Sequence, residues 1–311
     1  MCPRWDKMSQ KETSPMGHGG NKMYKLVTVD LDGTMLTRRG IITEGTKNAI
    51  KNTMEKGIDV IIASGRPIDS IKTIAKEIGS KNYFIAGNGA LIYDIKKDEV
   101  IYEKILDKKK VLEIAEICEK NNITYNIYTQ KTIIADKLKY NVLYYYKENL
   151  NKKEELKTNI TIVNNIKEYV EKSENEKFLK ITICDESKLI FNSIIKKINA
   201  ISGVKAMDVY HATRKTIKQG TEDVNIEYYY TEISLKDVDK WDAIKYLLNK
   251  LNINENEIVS IGDNINDKEM IENAGLGVAM GQSMPEIKRI ADYVTNDNEN
   301  EGVKNVLEIY C

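Results

Sequence analysis

Two carboxylates, Asp30 and Asp32, stand two residues apart in Asp30-Leu31-Asp32-Gly33-Thr34, at the end of a short β-branched run. Side chains so spaced at a strand end project to the same side, and Gly33 lets the chain turn away. Like charges this close repel, and they persist where a metal ion or a shared task compensates. The plain alternative is a calcium loop or a polar turn. An EF-hand starting at Asp30 fails, because its twelfth position is Ile41 instead of Glu. Three further groups follow along the chain. In Ser64-Gly65-Arg66, just before Pro67, a hydroxyl and backbone N–H groups at a helix start make either a phosphate cradle or an ordinary capped turn. Lys240 opens a later helix and says little alone in a Lys-rich chain. Gly262-Asp263-Asn264-Ile265-Asn266-Asp267 sets two more acids and a carboxamide after an apolar run, as a ligand site or as an Asx-rich turn capping the next helix.

The elements that must position these groups read as alternating strands and helices. Lys25–Leu31 predicts a strand, Thr43–Lys56 a helix ended by Gly57, and Ile58–Ala63 a second buried strand. Pro67 suits the first helical position and opens a helix over Ile68–Ile78, with Tyr83–Ala86 as a third strand. The pattern returns near the C-terminus. Helices are expected over Asp239–Leu251, Lys268–Ala274, Pro285–Ile290 and Val303–Ile309, and strands over Glu257–Ile261, Leu276–Ala279 and Asp292–Thr295. Such units imply an α/β fold with a Rossmann-like, doubly wound parallel sheet, whose ligands bind beyond the carboxyl ends of the strands. Between the two halves, residues 105–235 mix helices (Asp107–Asn121, Ser187–Ala200) with strands (Ile123–Tyr128, Thr132–Ala135) and read as an inserted α+β domain. The expected division is thus a leader over 1–22, a core over 23–104 and 236–311, and the insertion. Lys147–Lys157 reads as a solvated helix or loop.

Composition narrows the chemistry. The 311 residues suffice for about two domains. Lys plus Arg and Asp plus Glu number 47 each, interspersed, which argues against a general nucleic-acid binder. No apolar run approaches the ~18 residues of a membrane span, and Met1–Lys22 lacks the apolar stretch of a signal peptide, reading instead as a flexible leader or tag. Cys2, Cys118, Cys184 and Cys311 lie far apart, as reduced thiols of a cytoplasmic protein would. Of two histidines, His18 is in the leader and His211 reads as a surface or packing residue, so a Ser-His-Asp triad has almost nothing to work with. Carboxylates, Lys and hydroxyls must carry any catalysis. Asp297 to Glu308 has EF-hand spacing, with Gly302 sixth; Lys304 at the usually apolar eighth position and the short remaining chain speak for ordinary loop structure.

Taken in order, the four groups resemble the haloacid dehalogenase-like phosphatase superfamily, specifically its Cof-like branch with a large cap. The resemblance runs from Lys25 to Tyr310 and includes Asn88-Gly89-Ala90, Glu232-Ile233 ahead of Lys240, Ala274 to Gly281, and Glu301-Gly302-Val303. It implies hydrolysis of small phosphorylated metabolites, such as sugar phosphates or phosphorylated cofactors. Asp30 is then the nucleophile that becomes an aspartyl-phosphate, and Asp32 the general acid and base. Leu31, Ser64, Gly65, Lys240 and Asn266 bind the substrate phosphate, while Arg66 and Asn88 organise the cleft or touch the substrate. Mg²⁺ is implied at Asp30, Asp263 and the Asp32 carbonyl, with Asp267 in direct contact or one layer behind. The cap closes over the leaving group, and a monomer or weak homodimer without membrane or nucleic-acid partners is expected. Two departures stand out: Trp241 replaces a usual Gly, where it would reshape the cleft wall, and Gln282 replaces a common Asn. A phosphomannomutase-type mutase is an alternative. It needs cap arginines for a second phosphate, and Arg214 is the sole arginine of 105–235. A catalytically silent phospho-ligand binder is another.

Overall fold

A computed structural model describes residues 24–311, apart from 151–153, 155–156, 208–212 and 220–221, with the side chains of 148, 213–219 and 222–226 also outside the description. The leader, His211 and part of Lys147–Lys157 therefore lie outside the described residues.

The expected α/β sheet is present and has eight strands. Its order is Tyr293–Val294, Leu276–Ala279, Ile258–Gly262, Leu26–Val29, Asp59–Ala63, Tyr83–Ala86, Leu91–Asp94 and Glu99–Glu103. The first six run parallel, and the last two add an antiparallel hairpin at one edge. Side chains alternate between two apolar layers. Val27, Val29, Val60, Ile62, Val259 and Ile261 pack against the helices Glu44–Glu55, Ile68–Glu77 and Gly302–Tyr310. Leu26, Ile61, Ala63, Ile85 and Ile258 pack against Lys240–Leu251 and Lys268–Asn273 on the opposite face. Burial on both faces is why these strands read as continuous apolar runs, and truncating Ile62 or Ile261 to Ala would cost about 2–5 kcal/mol.

Local signals end the elements where the chain must turn toward the site. Thr43 and Asp239 cap their helices through side-chain oxygens that accept from Thr46 N and Asp242 N. Pro67 does not occupy the first helical turn as expected. It is the extended N-cap (φ −65°, ψ 161°) of Ile68–Glu77, so its ring stiffens the approach rather than the helix.

Between Lys104, which still bonds to Ala90 just ahead of the strand Leu91–Asp94, and Leu106, which bonds to Phe178, the chain passes to a second sheet. That sheet orders Val204–Ala206, Glu222–Leu235, Phe178–Asp185, Thr124–Thr129, Ile133–Ala135 and Ile160–Ile162, with Thr213–Gln219 paired to the far half of Glu222–Leu235. One face is apolar: Ile127, Ile181, Ile183 and Ile233 lie under Lys108–Lys120 and Lys188–Asn199. The other face is polar. Register pairs Tyr128 with Lys180, Asn126 with Thr182, and Glu232 with Thr182. Among the described residues no helix is long and apolar enough to cross a membrane.

Candidate active site

Asp30 ends the strand Leu26–Val29 and is held as one more rung of the sheet, its N–H donating to Ile261 O at 3.0 Å. The loop then folds on itself, Met35 N donating to Asp30 O and Leu36 N to Leu31 O. This leaves Asp30 4% exposed, while 63% of the Asp32 side chain is open. Gly33 has φ +85°, and a Cβ there would lie 2.5 Å from Asp263 Oδ2, so glycine admits the acid of the facing loop. Thr34 Oγ1 donates to Asp263 Oδ1 at 3.1 Å.

Lys240, the first residue of the helix capped by Asp239, is fully buried and bridges Asp30 Oδ1 (2.5 Å) and Asp267 Oδ1 (2.6 Å). Asp267 Oδ2 accepts the N–H groups of Asp263 and Asn264, both at 3.0 Å. Asp267 thus ties the Lys240 helix to its own loop. A Cβ at Gly262 would lie 2.5 Å from Asp267 Cβ, which is what lets that turn close.

Charge is unbalanced here. Asp30, Asp263 and Asp267 have carboxylate oxygens within 4.8 Å of one another, and among the described residues Lys240 is the one ammonium bonded among them. Burial first, then the Asp267 charge, raise Asp30 well above the usual carboxylate range, against the pull of Lys240. Burial and Asp267 also push Asp263 up to about 7, only partly offset by the Thr34 hydrogen bond and Lys240. Lys240 stays charged: burial works against it, but the two acids it touches outweigh that and raise its pKa. An all-oxygen set with surplus negative charge suits a hard divalent cation. Asp30 and Asp263 fit as direct ligands. Both oxygens of Asp267 already have partners, which fits it for orienting the others.

The remaining expected residues divide into two groups. Ser64 is buried, and its Oγ accepts from Arg66 N at 3.2 Å. Arg66 forks onto the Asp32 carboxylate, Nε to Oδ2 at 2.8 Å and Nη2 to Oδ1 at 2.6 Å. The side chain of Asp32 is therefore turned to Arg66 and is not among the three clustered acids. Asn88 sits in the left-handed region (φ 58°), between Gly87 (φ 61°) and Gly89 (φ 98°). Asn266 donates to Asn88 Oδ1 at 3.1 Å. A Cβ on Gly65 would meet that same oxygen at 2.7 Å, and one on Gly89 would meet Asp239 O at 1.9 Å. Three of the expected groups are thereby wedged around one loop.

Other expectations are corrected or refined. Trp241 is 6% exposed and packs in the apolar layer with Ile244 and Ile61; it is no cleft wall. Gln282 donates to Gly33 O and so braces the Asp32 turn. The calcium-like spacing at Asp297 is a side-chain-capped turn, with Asp297 Oδ1 accepting from Glu299 N and Asn300 N and Lys304 paired to Glu301. Cys118 and Cys184 are buried, and the Cys184 thiol donates to Asn141 Oδ1.

Residues of the second sheet, and of the helix Tyr140–Asn149, also reach the site. Glu232 accepts from Asn88 Nδ2 and Lys180 Nζ, both at 2.6 Å, and from Tyr230 OH. Tyr145 lies within electrostatic reach of Asp32, Glu232 and Arg66, and with burial these acids raise its phenol. Lys180 sits 4.8 Å from the Tyr128 ring centroid. The signal for Lys180 was present in Phe178–Asp185, where Lys and Thr alternate with apolar residues.

The family model for haloacid dehalogenase-like hydrolases matches residues 27–307. Phosphatase YwpJ of Bacillus subtilis is 29% identical over 299 residues, covering 91% of this chain and 99% of the relative. A 5-amino-6-(5-phospho-D-ribitylamino)uracil phosphatase, YcsE, of the same organism is 24% identical, covering 91% and 94%. Among solved structures, a haloacid dehalogenase-like hydrolase from B. subtilis superposes with a TM-score of 0.74 at 26% identity, covering 92% of this chain and all of the other. With the family match spanning both halves of the first sheet and everything between them, the chain belongs to the haloacid dehalogenase-like hydrolases.

Proposed function

We propose that the protein is a Mg²⁺-dependent phosphatase of small phosphorylated metabolites that works through an aspartyl-phosphate on Asp30. The observation that carries this reading is the buried trio Asp30, Asp263 and Asp267 bridged by Lys240, with a second acid two residues beyond Asp30. Relatives named phosphatases at similar length support the reaction class. Bound Mg²⁺, held by Asp30, Asp263 and the Asp32 carbonyl, would supply the positive charge that lets an anionic nucleophile meet an anionic phosphate.

The chain's own groups do the rest. Lys240 orients Asp30, whose carboxylate oxygen attacks phosphorus as the ester P–O bond breaks. Asp32 gives its proton to the departing alkoxide, then takes one from the water that hydrolyses the aspartyl-phosphate. In the Arg66 fork Asp32 is acceptor-only, the form the second step needs; the first step requires it to leave that fork. Lys240, Ser64 and Asn266, with the Leu31 and Gly65 backbone, hold the phosphoryl oxygens as charge develops. Residues 105–235 serve as a cap that excludes water and contacts the leaving group through the Tyr145 and Lys180 face. Hydrolysis of p-nitrophenyl phosphate with Mg²⁺, followed by a panel of phosphorylated metabolites, tests the reading. A protein inert toward every ester at any metal concentration would sink it.

A further inference from the structure

Glu232 has no place in the mechanism above, yet it joins the second sheet to the catalytic loops. Its Oε1 accepts from Lys180 Nζ at 2.6 Å and from Tyr230 OH, and its Oε2 accepts from Asn88 Nδ2 at 2.6 Å. Asn88 Oδ1 in turn accepts from Asn266 Nδ2 at 3.1 Å. Asn88 is held in place: its N–H donates to Ser64 O at 3.0 Å, and its side chain lies so close to Gly65 that a Cβ there would come within 2.7 Å of Oδ1.

Donor and acceptor rules fix the direction of every link. A carboxylate only accepts and an ammonium only donates, whereas an amide does one at each end. Burial would raise Glu232, but the Lys180 charge and the hydrogen bonds from Lys180, Tyr230 and Asn88 hold it below its ordinary value, so it is an anion. Facing that anion, Asn88 must present its NH₂ group and turn its carbonyl to Asn266. Asn266 must then present its own NH₂ group to Asn88, which leaves a second amide hydrogen for a phosphoryl oxygen. With a neutral acceptor in place of Glu232, both amides are free to invert, and Asn266 can offer a carbonyl where a donor is required. A buried ion pair is a weak stabiliser, so Lys180–Glu232 is better explained by what it orients than by folding energy.

We infer that Glu232 is a positioning residue that sets the polarity of the Glu232–Asn88–Asn266 chain, so that the phosphate site has its full set of donors only when the second sheet is seated on the core. This rests on the reading of Asn266 as a phosphoryl-oxygen donor. Lifting the second sheet removes the anion from Asn88 and with it the constraint on Asn266. Cap closure and the assembly of the phosphate site become one event.

Glu232→Gln in the full chain tests it, with p-nitrophenyl phosphate and Mg²⁺. Lys180 claims the new carbonyl, the Gln NH₂ group faces Asn88, and both amides invert. The kcat should fall roughly 10- to 100-fold, less than outright loss of an oxyanion donor, with KM within about threefold. Adding Lys180→Met removes the ammonium that forces this orientation, so the double variant should turn over no more slowly than Lys180→Met alone. A purely structural role predicts that the two losses add. Neutron diffraction of the deuterated wild type reads the amide hydrogens directly and needs neither turnover nor a stable variant. Glu232→Gln with wild-type kcat, a double variant slower than Lys180→Met alone by the full Glu232→Gln factor, or an Asn88 carbonyl turned to Glu232 overturns the proposal. Wild-type protein that hydrolyses no ester while its amides point as described strikes the phosphatase reading instead.

Discussion

The two sheets handle buried charge in opposite ways. At the carboxyl end of the first, three clustered acids share one buried ammonium, and Asp30 and Asp263 both bind protons more tightly than ordinary carboxylates. On the polar face of the second, Lys180 and Glu232 cancel, and amides and hydroxyls surround them: Asn126, Asn141, Thr182 and Tyr128. A site with surplus charge is built to take up something of opposite sign. A site with cancelled charge is built to hold directions. On the proposed reading the first carries the reaction and its cation, and the second arranges and selects.

The largest expected effect falls on the unbalanced side. Asp30→Asn should lower turnover by at least about three orders of magnitude, since neither Asp32, held by Arg66, nor Asp263 can replace the nucleophile. An Asp30→Asn protein with near wild-type kcat would falsify the division of labour at its root. Lys180→Met should instead alter the ratio of kcat/KM among metabolites. If that ratio never shifts for Lys180 or Tyr145 variants, the second sheet does not select.

Metal and pH sharpen the same contrast. A cation that binds only the folded trio stabilises by about 2.7 kcal/mol at a hundredfold excess over its dissociation constant. Mg²⁺ should raise Tm in a concentration-dependent way, and chelator should abolish activity reversibly. Without metal, the sign follows from Asp263. Its folded-state pKa, about 7, lies above the ordinary 3.8, so the folded protein binds more protons than the unfolded chain between those values. Metal-free stability should fall as pH rises from about 4 to about 7. Asp263→Asn should make that fall shallower, leaving what the raised Asp30 contributes, and lose most of the Mg²⁺ shift. Melting curves in chelator across this range decide it.

The balanced pair behaves differently. Glu232→Leu strands a buried ammonium and should cost about 3–5 kcal/mol, whereas Lys180→Met with Glu232→Leu should return to within about 1 kcal/mol of wild type. Both side chains are little exposed, at 6% and 15%, so solvent screening does not dissolve the effect. Two singles that simply add in urea unfolding would mean that the charges do not feel each other.

The same contrast explains what was legible in the sequence. Apolar runs buried on both faces fixed the parallel strands to within a residue or two, and each chemical motif follows such a run, as at Asp30, Ser64 and Asp263. The edge hairpin Leu91–Asp94 and Glu99–Glu103 went unread, because its apolar runs, Leu91–Tyr93 and Val100–Tyr102, are short and the second is only half-buried. Lys180 and Glu232 lie 52 residues apart and meet only through the register of Phe178–Asp185 against Glu222–Leu235. Single-sequence spacing carries no register between distant strands. Trp241 was misjudged for a related reason: its neighbour Lys240 points into the site, and the next residue on a helix turns about 100° away, here into the apolar layer.

The smallest expected effect is a control on where surplus charge matters. Asp297 belongs to an acidic loop with calcium-like spacing, but its Oδ1 already accepts from Glu299 N at 3.0 Å, Asn300 N at 2.9 Å and Asn300 Nδ2 at 2.8 Å. Lys304 sits at the position such a loop keeps apolar and is bonded to Glu301. All the acceptor work falls on one oxygen, which an Asn carbonyl supplies equally well. Asp297→Asn should change stability by less than about 0.5 kcal/mol and leave turnover and the Mg²⁺ shift untouched. Asp297→Ala, which removes the acceptor, should cost about 1 kcal/mol, comparable to losing a helix cap, with no change in metal dependence. Differential scanning calorimetry of both variants, with and without Mg²⁺ or Ca²⁺, separates the cases. Loss of the metal-dependent shift in Asp297→Asn would place the cation in this loop and return Asp263 to an ordinary capping acid.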